Sequence, residues 1–305
     1  MSVSVPPNRR VAFFGTPEIS ASYLKALITN GFDVPLVVTR LPKRRGRGSS
    51  LLPSPVEELA QVHGIRVVYS LEEVDPSYFD IGLVVAYGRL VPKDLLDTRP
   101  LINVHYSLLP RFRGAAPMQW SILSNDAISG VTLMRITEEL DAGGIFDQRS
   151  VSISGLYLSE ISRLLTSLGT EMVIDWFSRD DDWYLTGAPQ VGEVTFAPKL
   201  DKEFYRIDWS KTVAEALAKV RLEQAYTTAK GRRLKILRAE TAAWGENLAN
   251  QHEHGEVISS QSYPGGVLCR DGLLIPLRVK PEGSREMSFE DFLRGMRTNK
   301  VILGG

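Results

Sequence analysis

Three side chains able to do chemistry stand out by type, two of them by spacing as well. Asn103 and His105 lie two apart in LINVHYSLLPRFRGAAP, and Asp141 opens the turn of EELDAGG. An amide can donate a hydrogen bond to a polarised carbonyl, an imidazole can carry a proton, and a carboxylate can orient and charge that imidazole. Together they suit transfer of an acyl group to an amine, so the chain reads as an enzyme. An Asp partner favours the imidazolium, which sets the expectation of a raised His105 pKa. On residue types alone, N-x-H at a strand end is also compatible with a turn and a satisfied histidine.

Elements that would position these residues follow from apolar periodicity. RVAFFG, VPLVVT, IRVVYS, FDIGLVVAYG and PLINVHY read as buried strands, and PEISASYLKALITNG, PSPVEELAQVHG, VPKDLLDT and SEISRLLTSLGTEMVIDWFSR as helices. Alternation of strands and helices predicts a doubly wound, mostly parallel sheet covered on both faces. Ligands of such sheets lie beyond the carboxyl ends of the strands, where Gly15, Tyr87, Gly88, Asn103 and His105 all fall. Gly15-Thr16-Pro17 lacks the G-x-G-x-x-G spacing of a dinucleotide site, so no nicotinamide cofactor is expected. TGAPQVGEVTFAPKLDKE has no long period and reads as a linker. After it a short helix, TVAEALAKVRLEQ, leads into RLKILRAE, GEVISS, GGVLCRD and LLIPLRVK, a set of short strands suggesting a small barrel or sandwich, and SFEDFLRGMR closes as a helix.

Composition narrows the class. The 305 residues are 43% hydrophobic, enough for full cores and too apolar for overall disorder. No apolar run approaches the roughly 20 residues of a membrane span, and the Pro-containing start is no signal-peptide core, so the cytoplasm is the expected compartment. The single cysteine, Cys269, excludes an internal disulfide or a multi-Cys metal site and reads as buried packing. Glu139 and Asp147 read as solvated. Net charge is zero, yet Lys plus Arg number 20 against 24 acids over residues 1–205 and 16 against 12 over 206–305, so the C-terminal part is basic. In GRRLKILR, Leu234 and Ile236 alternate with Arg233 and Lys235 as on a half-buried strand with one cationic face. Arg40, Lys43, Arg44, Arg45 and Arg47 crowd a second basic stretch, with no acid from Val34 through Val56. A solvated surface loop and a set of phosphate contacts both fit that stretch.

Several separate blocks resemble the methionyl-tRNA formyltransferases: VAFFGTPEISASYLKAL, GRGSSLLPSPVEELA, VVAYGRLVPKDLL, NVHYSLLPRFRGAAPMQWSI, GVTLMRITEELDAGGIF, TFAPKLDKEFYRIDW and EMSFEDFLRGMR. The resemblance implies a formyltransferase Rossmann-like catalytic domain over 1–187, a linker over 188–205, and a C-terminal OB-like β-barrel over 206–305 that binds tRNA. It implies transfer of a formyl group from 10-formyltetrahydrofolate to the α-amino group of methionine on initiator tRNA, without a metal, by a monomer. In that scheme His105 handles protons, Asn103 donates to the oxyanion and Asp141 orients or charges His105. Ser107, Leu108, Leu109 and Pro110 contact folate, with Tyr87 and Gly88 walling its pocket. Lys43, Arg44, Arg45, Arg47, Arg233 and Lys235 contact tRNA. The chain departs from the pattern at Tyr106, a ring that would either narrow the pocket beside the imidazole or stack on another group, at Gly144, at Ser49 and Ser50, and in lacking a Pro-Trp segment early in the C-terminal domain. Two other functions stay open: a formyltransferase for an amino sugar nucleotide, and a nucleic-acid-binding module with an inactive folate-like core.

The basic stretch has a direct test. Arg47→Ala is expected to slow formylation of Met-tRNA and to reduce the log–log salt slope of tRNA binding by about one. An unchanged rate removes Arg47 from the site.

Overall fold

A computed structural model of the chain describes residues 9–44, 51–179, 187–243, 251–259, 264–296, 298 and 300–304. Two compact units divide it. The first comprises Met1–Met118, Ala127–Ile153 and Ile161–Pro198, and the second Gln119–Asp126, Ser154–Glu160 and Lys199–Gly305.

The first unit opens with β1 (Arg10–Gly15), α1 (Glu18–Thr29) and β2 (Asp33–Val38), followed by the short pair β3 (Lys43–Arg44) and β4 (Leu51–Leu52). Then come α2 (Pro55–Val62), β5 (Arg66–Val68), β6 (Ile81–Val85), α3 (Lys93–Thr98) and β7 (Leu101–His105). Entry into α2 is set chemically, because Ser54 and Glu57 form a reciprocal capping box and Pro55 takes the first helical position. After α4 (Pro117–Leu123) the chain runs through β8 (Ile128–Arg135), β9 (Ile145–Ser152) and α5 (Leu158–Phe177). Strand order is β5-β2-β1-β6-β7-β8-β9, with the first five parallel. The order reverses between β1 and β6, which opens a crevice at the carboxyl ends of the strands, and β7 ends in His105 beside it.

β8 and β9 add to the sheet antiparallel, and apolar-run reading does not find them. Gly130 interrupts β8 because the Arg149 carbonyl leaves no room for a Cβ, which would sit 2.2 Å from that oxygen. β9 mixes Asp147, Gln148 and Arg149 among its apolar residues. Asp147 is not simply solvated: its carboxylate lies 3.4 Å from Arg149 and 4.0 Å from Arg179.

Strand alternation decides where Tyr106 goes. It follows His105 and turns to the opposite side, where its hydroxyl donates to Tyr23 Oη of α1 at 3.0 Å. Burial pushes the Tyr106 phenol up to about 12. The ring therefore packs in the core and does not narrow the space beside the imidazole. Gly169 of α5 makes the room, since a Cβ there would lie 2.0 Å from the Tyr23 hydroxyl.

In the second unit, α6 (Val213–Arg221) precedes β10 (Tyr226–Ala229), β11 (Arg232–Ala242), β12 (Val257–Ser259), β13 (Pro264–Leu268), β14 (Leu273–Pro281), β15 (Met287–Ser288) and α7 (Phe289–Met296). The sheet order is β10-β11-β14-β13-β12, with β15 on β14. Its two edges are joined by the C-terminal segment: Gly304 N–H donates to the Thr228 carbonyl at 2.9 Å, and Val257 N–H to the Val301 carbonyl at 2.9 Å. The expected barrel is thus closed. Its core holds Trp209, Leu234, Ile236, Val267, Leu274, Val279 and Leu303. Cys269 is buried there as packing, its thiol pushed up to about 12 by burial.

Gly169→Ala is expected to cost about 1–3 kcal/mol in urea unfolding, because the added methyl overpacks the tyrosine pair. An unchanged midpoint would mean that the two rings are not fixed there.

Candidate active site

β7 presents Asn103 and His105 on one face, since side chains two apart on a strand point the same way. His105 is 5% exposed. Its Nε2–H donates to the Phe112 carbonyl at 2.9 Å, the assignment following from an acceptor that carries no proton. Nδ1 faces Asp141 Oδ2 at 3.6 Å. In the neutral ring that nitrogen keeps its lone pair; in the imidazolium both nitrogens would carry protons toward oxygen acceptors.

Two effects compete over the charge of this ring. Burial disfavours the imidazolium and is the larger, while Asp141 and the Phe112 carbonyl favour it, leaving His105 below its ordinary 6.5. The expectation of a raised pKa is therefore corrected. Asp141 does pull upward, but desolvation of a nearly enclosed ring outweighs it. Burial thus favours the neutral ring, beside two oxygens that favour its cation.

Asp141 is fixed from several sides. Its backbone lies in the left-handed region at φ 48°, a conformation Asp tolerates better than most residues. Its Oδ2 accepts the Gly114 N–H at 2.8 Å. Gly114 adopts φ +125°, and a Cβ there would meet the Ala197 carbonyl at 2.8 Å, so the amide reaches Asp141 only because the position is glycine. The Asn103 side chain is half-buried and makes no hydrogen bond among the described residues.

The SLLP turn is braced from beneath. Ser107 Oγ donates to the Arg111 carbonyl at 2.6 Å, and Thr132 Oγ1 donates to the Ser107 carbonyl at 2.6 Å while accepting the Leu109 N–H at 3.2 Å. Gln148 Nε2 donates to the Leu109 carbonyl at 3.1 Å and to Thr132 Oγ1 at 2.9 Å. The Leu109–Pro110 peptide is cis. The Ser107 hydroxyl is thus committed to the turn, Leu109 and Pro110 are buried, and Leu108 is half-exposed. Tyr87 is a core residue, edge-on to Phe14 at 5.9 Å between centroids. The Gly88 carbonyl accepts from Arg40 Nη2 at 3.1 Å.

Of the basic set, Lys43 and Arg44 form β3, whereas Arg45 and Arg47 lie outside the described residues. In the second unit Leu234 and Ile236 point into the barrel core and Arg233 and Lys235 outward, as the alternation predicts. The Arg233 guanidinium stacks 3.7 Å over the Tyr226 ring. Lys235 stands directly opposite Lys280 of β14, a like-charge pairing that costs a bare sheet stability. Residue types alone did not single out Arg113, Gln190, Thr195, Thr132 or Gln148, which hold the site's loops through backbone groups; Arg113, Thr132 and Thr195 lie within blocks that carry the family resemblance, and Gln148 and Gln190 lie outside them.

Comparison with known proteins addresses the ancestry of this arrangement. Residues 9–166 match the model of the Formyl transferase family, and residues 199–297 that of the Formyl transferase C-terminal domain. A methionyl-tRNA formyltransferase of Thermodesulfovibrio yellowstonii is 33% identical over 305 residues, covering 95% of this chain and 97% of that protein. The chain belongs to the methionyl-tRNA formyltransferase family. A second member, from Fervidobacterium nodosum, is 37% identical over 296 residues, covering 92% of this chain and 94% of its own. Among solved structures, the N-formyltransferase of Helicobacter canadensis, in complex with folinic acid and dTDP-3-aminofucose, shares the fold with TM-score 0.63 at 18% identity, over 91% of this chain and 99% of that one.

Asp141→Asn removes the anion that favours the imidazolium, so the His105 titration, followed by NMR, is expected to move further below 6.5. An upward or absent shift would separate the two side chains electrostatically.

Proposed function

We propose that this chain transfers a formyl group from 10-formyltetrahydrofolate to the α-amino group of methionine esterified to initiator tRNA, in the cytoplasm, to supply formylmethionyl-tRNA for translation initiation. The observation that carries the reading is the enclosed His105 ring. It is neutral, has an available Nδ1 lone pair beside a fixed carboxylate, and stands next to an unengaged Asn103 amide at the carboxyl edge of the sheet. Relatives matched along nearly their whole length carry the methionyl-tRNA formyltransferase name.

The side chains divide the work. As the amine nitrogen bonds to the formyl carbon, the amide of Asn103 donates to the oxygen on which negative charge gathers. His105 takes the proton the amine must lose, and Asp141 with the Phe112 carbonyl stabilises the resulting imidazolium. Scission of the bond between that carbon and N10 releases tetrahydrofolate, and the same proton passes from His105 to N10, so the ring returns to its starting state. The turn of Ser107 to Pro110 borders the folate subsite, with half-exposed Leu108 its apolar contact and Tyr87 and Gly88 its deeper wall. Lys43, Arg44, Arg45 and Arg47, and on the barrel Arg233 and Lys235, meet tRNA phosphates; the Lys235–Lys280 pairing supports this, because a polyanion relieves the repulsion.

Transfer to an amino sugar nucleotide is the second reading, favoured by the likeness of fold to the Helicobacter canadensis enzyme. One assay separates them. With 10-formyltetrahydrofolate and either Met-tRNA, uncharged tRNA or a dTDP-amino sugar, product is expected on Met-tRNA alone, and product on the sugar alone overturns the proposal. His105→Ala is expected to lower kcat by about 10²–10⁴ and Asn103→Ala by about 10²–10³.

A further inference from the structure

Both oxygens that face the His105 ring are held by one short stretch, residues 187–198. On one side, Thr195 Oγ1 accepts the Phe112 N–H at 2.9 Å, the Arg113 N–H donates to the Thr195 carbonyl at 2.9 Å, and the Ala197 N–H donates to the Arg113 carbonyl at 2.7 Å. These bonds fix the turn whose Phe112 carbonyl takes the Nε2 proton. On the other, Gln190 Nε2 donates to the Asp141 carbonyl at 2.8 Å and to the Gly143 carbonyl at 2.9 Å. Gln190 Oε1 accepts from Arg113 Nε at 3.1 Å and Nη2 at 2.8 Å, and Arg113 Nη1 continues to Glu139 at 3.1 Å. Ala188 and Ile145 exchange paired backbone bonds of 2.7 Å.

Gln190 is saturated in this arrangement. Both amide protons go to carbonyls that bracket the Asp141 turn, and its oxygen takes a two-pronged guanidinium from Arg113, which is 9% exposed. The chemistry suits a glutamine. An amide clamps the turn without adding charge, whereas a carboxylate would repel both carbonyls and place an anion near the imidazole. Asp141 itself sits in a left-handed backbone conformation that a free loop would leave easily.

We propose that Gln190, clasped by Arg113, is a positioning residue for formyl transfer: it holds the Asp141 turn so that the carboxylate stays aimed at the His105 ring. Its consequence for turnover rests on the formyl-transfer reading; its effect on the ring does not. The charged groups on and beside the turn include Asp141 itself, Glu138 with its partner Lys93, Glu139, Arg113 and, at the end of β8, Arg135, so a neutral replacement of Gln190 alters geometry without altering their number.

Gln190→Met is near-isosteric and neutral. The His105 titration is read by NMR in the wild type, Gln190→Met, Asp141→Asn and the double variant, with Gln190→Asn as the substitute if the Met variant does not unfold cooperatively. The expected result is a downward shift in the single Gln190 variant, as in Asp141→Asn, and no further shift in the double, because both act through one carboxylate. Turnover is expected to fall about a hundred-fold with KM for 10-formyltetrahydrofolate unchanged. An unmoved titration, a shift that adds to that of Asp141→Asn, or a rise in KM alone overturns the proposal. Should the wild type formylate no acceptor, the reading of function falls, while the titration still decides whether Gln190 aims Asp141.

Discussion

A histidine deprived of water and faced by two oxygen acceptors is the constraint on which this site depends. Dehydration favours the neutral ring, and the carbonyl of Phe112 and the carboxylate of Asp141 favour the charged one. Neither influence alone makes a useful proton carrier: an exposed ring would hold no orientation, and a buried ring without acceptors could not take a proton at all. The opposition works only if the acceptors keep their distances, so the surrounding loops must be rigid. That requirement accounts for glycine at 114, for the left-handed backbone of Asp141, and for the number of backbone groups tied down between residues 107 and 114.

The fold delivers this ring to the right place by simple means. A parallel strand buried along most of its length ends at His105, beside the reversal of strand order, and alternation sends the imidazole one way and the Tyr106 ring the other. Much of this was legible in the chain. Apolar runs found the parallel strands, capping and Gly or Pro punctuation found the helices, and the three chemical residues stood out by type. β8 and β9 were not legible, because Gly130 answers to a carbonyl on the neighbouring strand and the polar residues of β9 disguise its period. Of the two roles left open for Tyr106, the alternation rule applied one residue past the strand excludes the narrowing of the pocket. The His105 charge was misjudged because a partner is visible in sequence and the depth of burial is not.

Gln190, Arg113 and Thr195 belong to another category. Each acts on a backbone group far away in the chain, and a carbonyl or an N–H has no residue identity to search for. Such contacts emerge only when the loops are folded against each other. The barrel shows the same limit: its strands were readable, but the closure of its edges by residues 301–304 depends on hydrogen bonds that any sequence could make. What was readable there was the outward row of cations, because charge, unlike a backbone bond, is written in the side chain.

The stretch that braces both of the imidazole's partners comes last within its unit, ending at Pro198. During synthesis every strand of the parallel sheet leaves the ribosome before it. A nascent chain stopped at 187 would already contain the amide, the imidazole and the carboxylate, yet would lack the Gln190 and Thr195 bonds that brace the Asp141 and Phe112 turns. The brace therefore arrives later than the fold's own core, and a cut just before Ala188 would remove it while leaving every strand of the sheet in the chain.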